Sequence, residues 1–557
     1  MIDNIKTLRE LFEKCNKIEV PVYQRAYSWG KEQCEQFFND LIEQDGNSYH
    51  YGIFIFEKKH DEIYFIVDGQ QRLTTAVLFF ASLTKFLSEE NRANIRETYL
   101  SGVFSTVNDD NDYFEQIIQN LSCRDKRAET ISQIKIKEAF DFFCKKLDKI
   151  FKNKELEKID KIQESLENAK IRIFEVDNKA EASQIFEYQN NRGIHASDFE
   201  IIKAYLFHQI FINPNHSEVD IDGIRKTISL IYRNLEAISE NFPEDDILWC
   251  WFYLFEYTQD IDKDIEGIKW CLSNKNDYKP VKDICKWIKD FFINFEKITA
   301  AAKVLLSKTS PQILNLFLIG DKPYWKVVML AVLMKEEKTT NEQLNKLAKL
   351  LEILWFKYEY CKRKKDPFAD SDWVYNYFND SSENKLSFEE LCKKIKFAII
   401  SGFEGRWEEF KKAIPNYLAE KKHFLFKNLT RYVLWQYDNN LRTEAELPKL
   451  ANRDYRKYNT IEHIQSQSTE RSYIHNLGNL TLLTQSDNSK ASDDDFFNKK
   501  NRVYYKYHNE GTSRNILLLQ FRDILSKNSW REQEVNERYQ KIKYFISKYF
   551  NQDIEKL

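Results

Sequence analysis

Ile63-Tyr64-Phe65-Ile66-Val67-Asp68-Gly69-Gln70-Gln71-Arg72-Leu73-Thr74-Thr75-Ala76-Val77-Leu78-Phe79-Phe80 changes character at its centre. Up to Val67 every residue is β-branched or aromatic, the signature of a short buried strand. Asp68-Gly69 is a turn pair. From Leu73 to Leu87 the apolar residues cover a broad helical face. Strand, tight polar turn and helix together open an α/β unit, and the first turn of such a helix offers unpaired backbone N–H groups to an anion. A second strand-like run, Ile18 to Tyr23, leads into Tyr23-Gln24-Arg25. Tyr23, Gln24, Arg25, Asp68, Gly69, Gln70, Gln71, Arg72 and Thr74 are therefore the candidate anion or nucleotide residues. Arg25 and Arg72 are suited to bidentate phosphate contacts, while Asp68 could hold a metal, position a water or bind a sugar hydroxyl. The structural reading, a common Asp-Gly turn, stands beside the functional one. Neither Gly-x-x-x-x-Gly-Lys-Ser/Thr nor Gly-x-Gly-x-x-Gly is present, so a nucleotide site here would not be a P-loop.

Outward from this unit, Tyr188 to Glu200 is polar, with Gly193 placed as a helix C-cap and Ser197 or Asp198 as an N-cap. Whether Asn190, Asn191 and Arg192 also reach a pocket is left open by the sequence. Residues 211–395 lose the strand signals; Ile224 to Ile238, Ile284 to Phe295 and Leu344 to Tyr360 space their apolar residues as helices do. The expected organisation is an α/β domain over 1–210, a helical middle domain over 211–395 and a third domain over 396–557. The fold class is α+β and predominantly helical, because 13 Gly and 9 Pro in 557 residues leave few tight turns. Aromatic residues at 15% exclude a disordered chain. The longest apolar runs, such as Val327 to Met334, fall far short of the roughly 20 residues that span a bilayer. Nine cysteines with no Cys-x-x-Cys fit reduced thiols in a cytoplasmic protein rather than a zinc site. A formal net charge of −3 supplies no global field for nucleic acid, so DNA binding would rest on local patches.

Such a patch lies near the C-terminus. Tyr458 to Ile464 reads as a strand carrying Glu462-His463; Leu480 to Leu483 is a second strand preceded by Gly478-Asn479; Asn488 follows in a polar loop ahead of a helix near Asp494 to Tyr507. Phosphodiester hydrolysis needs a base near neutral pH, which imidazole supplies, and a hard cation held by oxygen ligands. His463 is thus assigned as general base, Glu462 and Asn488 as ligands of Mg²⁺ or Mn²⁺, and Asn479 as the group that braces the loop or orients His463. Adjacent strand residues face opposite ways, so a bulge or strand end is expected if Glu462 and His463 share an ion. Lys499, Lys500, Arg502 and Lys506 form an acid-free basic run and are expected to meet DNA phosphates. Asp493 to Asp495 are expected to cap the helix start. His475 is read as structural or DNA-facing.

Together, Tyr23-Gln24-Arg25, Asp68-Gly69-Gln70-Gln71-Arg72-Leu73-Thr74, Glu462-His463-Ile464 and Gly478-Asn479-Leu480-Thr481-Leu482 resemble the motifs of GmrSD-type restriction endonucleases, which join a ParB-like N-terminal domain to an HNH C-terminal domain with a ββα-metal site. The resemblance implies an anti-phage, modification-dependent (type IV) endonuclease. It also implies that the N-terminal domain binds and hydrolyses a nucleoside triphosphate and takes part in sensing modified DNA, while the HNH domain cuts or nicks. Similar architectures recognise glucosylated hydroxymethylcytosine or phosphorothioate linkages. One departure is visible: the family often has His-Ile-x-Pro-Gln, where this chain has His463-Ile464-Gln465-Ser466-Gln467. A nucleotide-switched DNA-binding adaptor that does not cut is the rival reading. A single centre cuts one strand at a time, so double-strand cleavage would call for a homodimer or sequential nicking.

Overall fold

The strand that ends at Asp68 lies in the middle of a mixed five-stranded sheet. The computed structural model describes residues 6–21, 24–43, 49–60, 62–120, 128–176, 197–213, 219–256, 263–273, 283–308, 310–319, 324–336, 339–361, 373–379, 385–401, 427–469, 471–507 and 518–550. The strands are β1 (Lys17–Glu19), β2 (His50–His60), β3 (Ile63–Asp68), β4 (Phe104–Ser105) and β5 (Lys170–Val176), in the order β4-β1-β3-β2-β5. β3 runs parallel to β1, with Tyr64 opposite Ile18, and antiparallel to β2, with Ile66 opposite Phe56. β2 also pairs in parallel with β5. β1 stops at Glu19, short of the expected Tyr23; Pro21 has no N–H to extend the ladder. Val22 and Tyr23 lie outside the described residues, as do Asn190, Asn191, Arg192 and the Gly193 C-cap expected after them.

Gly69 carries the turn with φ +96°, and a Cβ there would stand 2.4 Å from the ring of Phe54. The turn therefore needs glycine twice over, for its left-handed backbone and for the approach of β2. Gly69→Ala is expected to destabilise the protein by about 2 kcal/mol, from the backbone and overpacking terms together, measured by urea unfolding. The helix it opens, Gln70–Leu83, buries every residue except Arg72. That helix packs on Ile131–Lys152, where Phe79 and Phe143 meet edge to face at 5.2 Å.

The chain divides into two compact units, one of residues 1–251 with 260–303 and one of 252–259 with 304–557. The stretch 211–395, expected as a domain of its own, is shared between them. Helical periodicity identifies a buried stripe but not the core that the stripe joins. The first unit adds the helices Asp198–Ile212 and Ile221–Ile238 to the sheet. In the second, the helices Asn341–Cys361, Lys427–Glu444 and Glu532–Phe550 gather around Glu352, which is fully buried. Its carboxylate accepts from Lys349 at 3.2 Å, from Tyr549 at 2.9 Å and from the Tyr432 hydroxyl. The second unit also holds β6 (Thr460–His463) and β7 (Leu480–Leu483), followed by the helices Gln485–Ala491 and Phe496–Arg502. Among the described residues no helix is long and apolar enough to cross a membrane.

Candidate functional site

β6 and β7 pair antiparallel without a bulge, His463 opposite Leu480 and Glu462 opposite Thr481. Of the two expected forms of distortion the bulge is absent, but β6 does end at His463; within the ladder the two side chains leave on opposite faces. A cavity of about 330 Å³ is walled by His463, Gln467, His475, Asn488 and Asp493, with Glu462 and Lys499 also contributing. The His463 ring sits between two partners. Nδ1 lies 2.8 Å from the Gln467 amide nitrogen, and Nε2 lies 3.2 Å from Nδ1 of His475. An amide nitrogen only donates. The same amide nitrogen stands 3.2 Å from Nε2, so Gln467 and His475 hold the ring at both of its nitrogens.

Glu462 turns the other way and is 6% exposed. Its Oε1 is 2.7 Å from the Lys499 ammonium and 3.3 Å from the Tyr504 hydroxyl. Burial raises the carboxyl pKa, and Lys499 and Tyr504 offset only part of that rise. Asn479 is wholly buried and does not line the cavity. Its Oδ1 accepts from the Gln465 N–H at 2.8 Å, and its Nδ2 donates to the carbonyls of Gln465 at 3.1 Å and Ile474 at 2.8 Å. This amide clasps both ends of the 464–479 connection. It holds the backbone directly after His463, where Ser466 stands in place of the family's proline.

Asn488 lies on the helix Gln485–Ala491 rather than in a loop. Thr484 caps that helix by accepting the Asp487 N–H at 3.2 Å. The Thr-x-x-Asp spacing is itself a helix-start signal. Ser492 ends the helix with φ +48°, and the turn brings Asp493 to the cavity wall, where its Oδ1 accepts from Ser466 Oγ at 3.3 Å. Of the three acids expected as caps, Asp495 does so, taking the Asn498 N–H at 2.8 Å, while Asp494 pairs with Arg502. Oxygen donors from Asn488 and Asp493 thus share a wall with two imidazoles, while the Glu462 carboxylate, also at the cavity, is engaged by Lys499 and Tyr504. This donor set fits Mg²⁺ or Mn²⁺, which take few protein oxygens and keep several waters. Among the described residues no three His, Cys, Asp or Glu are grouped as a metal cage.

In the first unit the motif residues knit the turn to its neighbours. Gln71 accepts from the Ser28 N–H at 2.8 Å and donates to the Ala26 carbonyl at 3.0 Å; Gln24 donates to the carbonyl of Val67. Arg72 lies over the Phe54 ring, donates to the Ile53 carbonyl at 2.7 Å and approaches Asp68 at 3.4 Å. Gln70 and Thr74 are buried, and Thr74 donates back to the Gln70 carbonyl at 2.8 Å. Burial raises the Asp68 pKa, with Arg72 and Arg25 opposing. The Gln24 to Ser28 segment and the 68–72 turn are thereby one assembly, although Arg72 and Thr74 spend their polar atoms on the fold.

Residues 8–207 match the N-terminal domain of GmrSD restriction endonucleases, and residues 406–543 match their C-terminal domain. The chain belongs to the GmrSD restriction endonuclease family. It is accordingly a nuclease of the restriction class with DNA as substrate. No curated protein matches it.

Within the GmrSD C-terminal domain the four cations expected to face DNA divide. Lys499 is 1% exposed and is not at the surface. Lys500 donates to the Lys527 carbonyl at 2.7 Å, Arg502 pairs with Asp494 at 3.2 Å, and Lys506 pairs with Asp487 at 2.9 Å. Asp487 is held below the usual carboxylate range because Lys506 and Tyr507 outweigh its burial.

In the GmrSD N-terminal domain, sequence reasoning missed Lys203, whose signal is a lysine inside the apolar run Phe199 to Phe207. It is 1% exposed, walls a second cavity of about 340 Å³, and donates to the Gln24 carbonyl at 3.0 Å and the Tyr232 hydroxyl at 2.9 Å. Burial pulls its pKa down to about 8, against the charges of Glu200 and Glu244. The folded state therefore releases this proton before the unfolded state does. Stability from this group rises with pH between about 8 and the ordinary value of 10.5. Urea unfolding is expected to show wild type gaining about 2 kcal/mol on Lys203→Met between pH 8 and pH 10.

Proposed function

We propose that this protein is a nucleotide-regulated, divalent-metal-dependent endonuclease of the HNH type that acts in the cytoplasm on modified phage DNA. The observation that carries the reading is the His463 ring, fixed between Gln467 and His475 in a cavity whose wall also holds Asn488 and carboxylates. The imidazole takes the proton of the attacking water, while Gln467 and His475 hold the ring's orientation. Asn479 acts through the backbone it clasps and does not touch the substrate. Asn488 with Glu462 or Asp493 would hold Mg²⁺ or Mn²⁺, whose chemistry is to stabilise charge on the phosphate and the leaving oxygen. In the N-terminal domain, Arg25 and the Asp68-Gly69 helix start would receive a nucleoside triphosphate. The bonds from Gln24 and Gln71 support coupling between the two motifs.

The test incubates plain, glucosylated-hydroxymethylcytosine and phosphorothioate DNA with Mg²⁺, with and without nucleoside triphosphate. Cleavage confined to a modified substrate and altered by nucleotide is expected. Binding without metal-dependent scission on any substrate would favour the adaptor reading. Sedimentation during turnover decides whether a homodimer makes the double-strand break.

A further inference from the structure

The basic run 498–508 reads as a surface patch, yet one of its members points inward. Lys499 shares the buried side of the helix Phe496–Arg502 with Phe496, and Val503, the next residue along, is also buried. Three positions along a helix returns to the same face, so this lysine occupies a core position. Its ammonium bridges the Glu462 carboxylate at 2.7 Å and the main-chain carbonyl of His463 at 2.9 Å. A buried ammonium persists only where its charge and hydrogen bonds are met, and here the partners are the two consecutive residues at the end of β6. We propose that Lys499 is a positioning residue of the nuclease centre: it ties the Glu462 side chain to the His463 backbone and thereby aims the imidazole into the cavity, without meeting DNA.

The bridge accounts for a ladder that remains regular although its last two side chains belong to one centre. Asn479 holds the backbone beyond His463, and Lys499 holds the His463 carbonyl itself. The ring is left with few ways to turn, and Gln467 and His475 stand against its two nitrogens. A lysine in this role affects the reaction after DNA is bound.

The inference rests on the HNH reading, and the experiment separates the two. Full-length wild type, Lys499→Gln, Lys499→Arg and His463→Ala are compared in cleavage and in metal-free DNA binding across a salt series. Lys499→Gln is expected to lower kcat at least tenfold with KM for DNA within threefold of wild type. Its salt slope should be unchanged, because a lost phosphate contact would reduce that slope by about one unit. Lys499→Arg, which keeps the charge, should recover part of kcat. A raised KM with a shallower salt slope, or wild-type kinetics in Lys499→Gln, overturns the proposal. An active His463→Ala overturns the nuclease reading instead.

A measurement on the wild type alone covers variants that fail to fold. Under amine acetylation read by mass spectrometry, Lys499 should stay unlabelled with or without DNA, whereas exposed lysines such as Lys490 react. Labelling of Lys499 in the free protein, lost on adding DNA, would return it to the phosphate-contact role and end the proposal.

Discussion

His463→Ala is expected to lower the rate of DNA cleavage by roughly 10²–10⁴-fold, the range that a positioned general base supplies. The loss should fall on kcat, since the ring faces Gln467 and His475 and takes no part in the basic surface. KM for DNA and the metal requirement are expected to stay close to wild type. The fold should survive, because the ring is only half-buried and its backbone carbonyl still accepts from Lys499. Single-turnover cleavage with the enzyme in excess over DNA and metal saturating isolates the chemical step. His475→Ala should produce a smaller loss, since it removes one of the ring's neighbours and leaves the imidazole itself and Gln467 in place. A His463→Ala protein that cuts within threefold of wild type would place the base elsewhere, and Asp493 in the cavity wall would be the next residue to replace.

The parts of this centre that could be read in the sequence are those whose chemistry is local. Glu462, His463 and Asn479 lie on or beside two short strands, and the strand period and residue types suffice to place them. Asn488 was placed correctly in order but wrongly in a loop, because polar composition hid the Thr484 cap. Asp493 and His475 join the cavity through the positive φ of Ser492 and the Asn479 bonds to Gln465 and Ile474, neither of which follows from spacing. Lys499 was misread for a different reason. Charge suggests a surface, whereas the Phe496, Lys499, Val503 stripe indicates an inward face, and the stripe decides. In the first unit, the strand, Asp-Gly turn and helix around Asp68 were legible because three signals agree there. β5 was not: its Lys, Arg and Glu residues interrupt the apolar run, and Phe174 is exposed at the sheet edge. Lys203 escaped notice because nothing in sequence connects it to Gln24, 179 residues earlier.

Gly478→Ala should be among the most damaging small substitutions in the second unit, at about 3 kcal/mol or more. The requirement for glycine at 478 is one of space. A Cβ at Gly478 would stand 2.0 Å from the main-chain oxygen of Val535 and 2.9 Å from the Tyr539 nitrogen. Both are backbone atoms of the helix Glu532–Phe550, so no rotamer change can relieve the clash and the helix itself must shift. That helix carries Arg538, fully buried, which donates to the carbonyls of Gly478 at 2.9 Å and Leu480 at 2.6 Å and to Gln520 at 3.1 Å. A shift would strain these charged bonds at the residues that flank Asn479, and through Asn479 the clasp on the chain after His463. The variant is therefore expected to lose stability and kcat together, with the kcat loss persisting at temperatures where the protein is still folded. Gly102→Ala is the matched control: its φ of +87° carries the backbone strain, but nothing stands within 4 Å of its Cβ, so about 1 kcal/mol is expected there with no change in cleavage. Denaturant unfolding and single-turnover cleavage of both variants decide the matter. If Gly478→Ala is no less stable than Gly102→Ala, the helix does not bear on the strand end as closely as these distances require, and the stiffness of the His463 backbone must come from Asn479 and Lys499 alone.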